Sequence, residues 1–427
     1  MKTFKLFAAG VLAAASIASA SAATVSLRVT GSTAFRKAFY NSVVHILTSP
    51  KVACFGVVGV DGNNTTADWS GANRAVISGG HGVDTWVIEC AWAGSVGGVN
   101  ATANGLTTIP ASGFASTATW LNTANITGTT PTATGTGTLL GFTEVGNGGG
   151  ATFEAASIPE ACMSDSFQSS TPFTSPVLNE ESAATSGVGV VDFNWVKGRA
   201  PTSANGTTNA ALAASYARFT NMTPLQANAL MGIGELKLSF FTGNTADAGV
   251  DVVLVGRNSD SGTRLDTQAE ADYGFGQAPE NQYQTVGNPI TTVNFVGDAG
   301  FSSGSGVRGN LINLQVNDAQ DDAARPFIMV GYLGASDTAT VLASNPVAQL
   351  TFNGLIDNQT NVQQGTYSFW AYEHEYYTNA TKNSATKKAV ADAISTQIRT
   401  VDGIQSGTLV GTMNCDRAVE GGLINPH

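Results

Sequence analysis

The segment from Val250 to Tyr273 constrains this chain most. Val250 to Val255 is an apolar run broken by a single Asp, the pattern of a strand buried on both faces and paired in parallel. Arg264 to Tyr273 has helical spacing, and between them stands Gly-Arg-Asn-Ser-Asp-Ser-Gly-Thr, Gly256 to Thr263. A parallel strand running through a short turn into a helix commits the chain to an α/β arrangement. It also places Arg257 at the strand's carboxyl end and Ser261, Gly262 and Thr263 at the helix start, where backbone N–H groups have no intrahelical partner. A fork-shaped cation facing free N–H groups and two hydroxyls makes an oxyanion site. A capped helix beside a structural arginine fits the same residues.

The first residues address the chain to export. Lys2 and Lys5 precede an apolar run from Leu6 to Ala18, and A-x-A sites follow at Ala18-Ser19-Ala20 and Ala20-Ser21-Ala22. This reads as a signal peptide over residues 1–22, too short for a membrane span. The expected location is periplasmic or extracellular. About 400 mature residues exceed what one core accommodates and suggest two domains. Only 12% of residues are charged, and the formal net charge is −11. That balance excludes nucleic acid as a partner, because such binding needs a basic surface. It leaves a small anion open, since local dipoles and hydrogen bonds govern that affinity. Cys54, Cys90, Cys162 and Cys415 are even in number, so two disulfides are expected in an exported chain, with three connectivities open. No CxxC spacing suggests zinc, and no cofactor is expected.

A second strand, turn and helix unit lies near the start. Val25, Leu27 and Val29 alternate with polar residues, Thr30-Gly31-Ser32-Thr33 breaks the strand, and Phe35, Phe39, Val43 and Leu47 mark a helix face. Its hydroxyl-rich turn is either a second anion site or a plain Ser/Thr cap. Thr85 to Trp92 reads as a strand entering the glycine-rich Gly94-Ser95-Val96-Gly97-Gly98, where a ligand can approach the backbone. Asn100 to Ala151, rich in Thr, Gly, Ala and Asn, reads as an inserted surface loop with a short β-hairpin. Further strands are expected at Val188 to Val196 and Phe327 to Leu333, and helices at Thr223 to Met231 and Ser384 to Thr400.

Taken in order, Gly31 to Phe35, Gly94 to Gly98, Met163 to Asp165 and Arg257 to Thr263 resemble the motifs of the phosphate-binding proteins of ABC importers. The resemblance implies the type II periplasmic binding protein fold: two α/β lobes joined by two crossover strands. Residues 23–175 would form lobe 1 with the insertion at about 100–151, residues 176–356 lobe 2, and residues 357–427 a return to lobe 1. It implies phosphate or a similar oxyanion as ligand and an ABC importer membrane complex as partner. Carried over by motif, the ligand set is Ser32, Thr33, Ala34, Phe35, Ser95 and Asp165 from lobe 1, with Arg257, Ser261, Gly262 and Thr263 from lobe 2. Ala34 stands where the family has a hydroxyl-bearing Thr, so only its N–H can serve. The first three motifs also lie farther apart here than in the family.

Asp165 carries the discriminating chemistry. A carboxylate beside an anion is repulsive unless the anion brings a proton; phosphate near neutral pH keeps one and sulfate keeps none. The alternative is that Asp165 caps a local turn with Ser164 and Ser166.

Other functions compete. An extracellular or cell-surface structural or adhesive protein could use the same fold without transport, as the Thr/Gly-rich insertion and low charge density suggest. Gly300-Phe301-Ser302-Ser303-Gly304 matches a nucleophile elbow with His374 downstream, but an elbow needs a strand before it and Asn294 to Val296 is a poor one. Glu373-His374-Glu375 lacks the second His that a helical metal site requires. His374 is better read as a surface or hinge residue, and Trp370, Tyr372, Tyr376 and Tyr377 as core and domain-interface residues. The expected function is therefore binding, not catalysis.

Overall fold

A computed structural model describes residues 22–55, 71–107, 120–126, 132–133, 139–140, 143–144, 152–155, 157–181, 187–198, 210–274, 278–286, 292–313, 326–344 and 347–427. The signal peptide, except Ala22, and most of the insertion lie outside these residues. Among the described residues no helix is long and apolar enough to cross a membrane.

The architecture is mixed α/β, built on a 14-stranded sheet among the described residues. Thr24–Gly31 is flanked in parallel by Asp84–Trp92 and Ala161–Ser164. At the other end Asp251–Val255 runs parallel to Phe327–Gly334. Two antiparallel strands join these groups. Gly189–Lys197 pairs along Gly189 to Asp192 with Trp370–Tyr377 and along Phe193 to Lys197 with Phe327–Gly334. Trp370–Tyr377 in turn pairs through His374 to Tyr377 with Ala161–Ser164. Both strands are buried along their whole length, and they carry polar residues (Asp192 and Asn194 in one, Glu373, His374 and Glu375 in the other) among aromatic and apolar ones.

The periodic segments become the expected elements. Arg36–Ile46, Gly262–Glu270, Pro224–Ile233 and Ala385–Thr400 are helices. The Pro224 helix starts with a full capping box between Thr223 and Gln226, and Ser384 caps the Ala385 helix.

Several expectations are corrected. The glycine-rich stretch from Gly94 runs into a helix, Ser95–Ala103, that the sequence did not mark. Its glycines serve packing, since a β-carbon on Gly98 would stand 2.4 Å from the Gly31 Cα. The insertion is not confined to the surface, because Trp120 is buried and Leu121 packs with Ala53, Val76 and Val87. Thr292–Gly297 is a strand after all, paired antiparallel with Gln282–Val286. His374 is buried and its Nδ1 lies 2.6 Å from Glu180 Oε1, so it is not a surface residue.

The four cysteines are free and buried. Register explains why disulfides do not form. Cys54 and Cys90 both lie opposite Ala75, one on each side of the Arg74–His81 strand. Two strand spacings, about 10 Å, exceed the reach of a disulfide. Cys162 pairs with Thr30 while Cys90 pairs with Val29, so their side chains leave opposite faces of the sheet. Cys415 packs elsewhere, its thiol toward the Val362 carbonyl.

Candidate functional site

Parallel strands direct their carboxyl ends to one place, and the turns that leave them carry the polar residues. Thr24–Gly31 delivers Ser32 and Thr33, Asp84–Trp92 delivers Ser95, Ala161–Ser164 delivers Asp165, and Asp251–Val255 delivers Arg257. Gly31 permits the first turn: its φ is +113°, and a β-carbon there would lie 1.9 Å from the Met163 carbonyl oxygen. The Ser32 N–H donates to that same carbonyl at 2.9 Å, tying the first turn to the Asp165 segment.

Asp165 is the centre. It is 1% exposed. Its Oδ1 accepts a short hydrogen bond from the Ser95 hydroxyl, and its own N–H donates to Ser95 Oγ at 3.3 Å. The hydroxyls of Ser32 and Thr263 each stand 3.5 Å from Oδ2. That is the outer limit of a hydrogen bond, so both can turn to another acceptor. Burial raises the Asp165 carboxyl above its ordinary value, opposed by the Ser95 hydrogen bond and the Arg257 charge. Burial also drives the neighbouring Asp266 and Glu373 carboxyls well up, and the Asp165 charge adds to both.

Arg257 is 2% exposed. Its Nη2 donates to Thr33 Oγ1 and to the Ser302 carbonyl, both at 3.0 Å, and its Nε donates to the Phe301 carbonyl at 3.1 Å. Its N–H donates to the Tyr332 hydroxyl at 3.0 Å, and that hydroxyl donates to Glu280 at 2.7 Å. Burial lowers the guanidinium's pKa, while Tyr332 and Asp165 work against that.

The turn of Asn258 to Ser261 closes against the Ser95 helix. The Gly97 N–H donates to the Asp260 carbonyl at 3.1 Å, and a β-carbon on Gly94 would come within 2.4 Å of that oxygen. Burial pushes the Asp260 carboxyl up to about 6.

All four sequence segments therefore meet. Ser32, Thr33, Ser95, Asp165, Arg257, Gly262 and Thr263 form one connected cluster. Ser261 is the N-cap of the Gly262 helix, its Oγ accepting the Arg264 N–H at 3.2 Å. Phe35 and Ala34 also make contacts outside this cluster. The Phe35 N–H is taken by Ser32 Oγ at 3.2 Å, and its ring lies in the core against Gly189. Ala34 is buried against Gly334, and its carbonyl lies 3.5 Å from the Ser336 hydroxyl.

The sequence did not signal the Phe301 and Ser302 carbonyls that hold Arg257, because any residue supplies a carbonyl. Nor did it signal Glu420, which accepts hydrogen bonds from the Phe167 N–H and from the Ser170 hydroxyl just after Asp165.

No family model matches the chain, and no curated protein matches its sequence. Among solved structures it is similar to a Clostridium perfringens protein described as a phosphate ABC transporter substrate-binding protein with bound phosphate, at 12% identity and a TM-score of 0.44, over 90% of this chain and 96% of that one. It is also similar to an ABC-type phosphate transport receptor from Vibrio cholerae, at 10% identity and a TM-score of 0.40, over 88% of this chain and 96% of that one.

Proposed function

We propose that this protein is an exported binding protein that captures phosphate between two lobes, with import by an ABC-type membrane complex as its role. One observation carries the reading: a buried carboxylate, Asp165, sits among the hydroxyls of Ser32, Ser95 and Thr263, in a cluster that Thr33 ties to the Arg257 guanidinium. Hydroxyls and a cation suit any oxyanion; the carboxylate suits one that still carries a proton. In this reading the strands Gly189–Lys197 and Trp370–Tyr377 are the crossovers, with the Asp165 side in lobe 1 and the Arg257 side in lobe 2. Ser32 and Thr263 turn from Asp165 to the ligand, and Arg257 exchanges a protein acceptor for a phosphate oxygen.

A second reading, an extracellular structural protein on the same scaffold, is favoured by one specific feature. Thr33, Ser302 and Phe301 already accept hydrogen bonds from Arg257, so the guanidinium has protein partners without an anion.

Calorimetry with phosphate, arsenate, sulfate and molybdate on the mature protein separates the two. Binding of phosphate at micromolar or tighter affinity, with sulfate much weaker, supports capture. Absence of phosphate binding favours the structural reading.

A further inference from the structure

The segment Cys415 to Gly421 contacts two elements that lead into the site. On one side Glu420, 5% exposed, takes the Phe167 N–H and the Ser170 hydroxyl through its two oxygens. These donors lie two and five residues after Asp165, in the loop that leaves the Ala161–Ser164 strand. On the other side Arg417 pairs with Glu270, the last residue of the Gly262–Glu270 helix, at 2.5 Å. Its guanidinium also donates to the Trp370 and Ser368 carbonyls at 2.8 Å and lies 4.4 Å from the centre of the Trp370 ring. Gly421 brings the backbone against this helix: its φ is +63°, and a β-carbon would stand 2.5 Å from the Ala269 carbonyl oxygen.

A buried carboxylate close to an anion site carries an electrostatic cost, and Glu420 does raise the Asp165 carboxyl. Its hydrogen bonds offset that cost by fixing the loop.

We propose that Glu420 is the positioning residue for Asp165, and that Cys415 to Gly421 is a brace setting the distance between the Asp165 loop and the Gly262–Glu270 helix. The inference rests on the phosphate reading for its effect on selectivity, and on geometry alone for its effect on the loop. A residue that merely stabilised the fold would weaken all anions alike. One that places Asp165 affects the protonated anion selectively.

The test compares Glu420→Ala and Glu420→Gln in the mature chain. Glutamine keeps an acceptor for Phe167 and can donate to the Ser170 oxygen. Competition calorimetry with inorganic phosphate and sulfate is read together with amide hydrogen exchange over residues 165–170. In Glu420→Ala, phosphate affinity is expected to fall at least about tenfold with sulfate unchanged or stronger, and the Phe167 amide to exchange at least about tenfold faster. Glu420→Gln should stay near the parent in both. Parent-like phosphate affinity in Glu420→Ala, or an equal fall for both anions, overturns the proposal. Should the parent bind no phosphate, the functional reading fails, and exchange alone decides the brace: unchanged Phe167 exchange in Glu420→Ala refutes it. If Glu420→Ala does not fold, Ser170→Ala, which removes one of the two donors and leaves the Phe167 bond, replaces it and is read by the anions alone: weaker phosphate with sulfate unchanged supports the proposal, and parent-like phosphate affinity or an equal fall for both overturns it.

Discussion

A β-carbon on Gly262 would stand 1.6 Å from Oδ1 of Asp165 and 2.7 Å from the Ser95 Cβ. The start of one helix and a carboxylate from a distant strand end are thus in direct contact, and only the absence of a side chain allows it. The requirement is space, since Gly262 lies within the helix.

Gly262→Ala must therefore push Asp165 and Ser95 aside. Overpacking of this kind costs about 1–3 kcal/mol of stability. The expected outcome is a lower denaturation midpoint together with loss of phosphate binding. A variant that binds as the parent does would separate Gly262 from the site.

Arg257→Lys keeps the charge and loses the planar fork that reaches Thr33, Ser302 and Phe301 together. Phosphate binding should weaken by ~1–3 kcal/mol, the scale of a charge-assisted hydrogen bond. Equal binding by calorimetry would show that Arg257 holds the turn and contributes nothing to the ligand.

Much of this geometry is legible in the sequence, for a physical reason. The units around Ser32 and Arg257 carry full periodic signals, an apolar strand followed by a turn and an amphipathic helix, and they fold as read. The helix at Ser95–Ala103 was not legible, because Gly97 and Gly98 are poor helix formers. Their lack of side chains instead lets the helix lie against Gly31 and Asp260. The even cysteine count suggested disulfides, but strand register, which no count reveals, separates the thiols. Trp120 gave no signal of burial because its neighbours are low in complexity. Glu420 contacts the site through partners some 250 residues earlier, beyond any local pattern.

The buried carboxyls set a direction for stability against pH. Burial pushes Glu375 up to about 8, with the Ser395 hydroxyl opposing, and Glu280 up to about 7, with Arg264 opposing. The folded protein holds these protons at pH values where the unfolded chain, with ordinary carboxyls, has released them. Their stabilising contribution is complete below the ordinary carboxylate range and is lost as pH rises through about 7 to 8. The melting temperature at constant ionic strength should fall between about pH 5 and about pH 9. A rise across that interval would contradict the assignment.

In the phosphate reading, Asp165 makes the site selective for an oxyanion that carries a proton. Asp165→Asn keeps the shape and removes the charge, and its amide can donate to a fully ionised anion. Competition binding of phosphate against sulfate, at fixed pH and ionic strength, compares the parent with this variant. Phosphate is expected to weaken moderately, sulfate to improve, and the selectivity to fall by ~2–4 kcal/mol, a charged hydrogen bond plus the relieved repulsion. An unchanged ratio of phosphate to sulfate affinity would make Asp165 a turn residue with no part in selecting the anion.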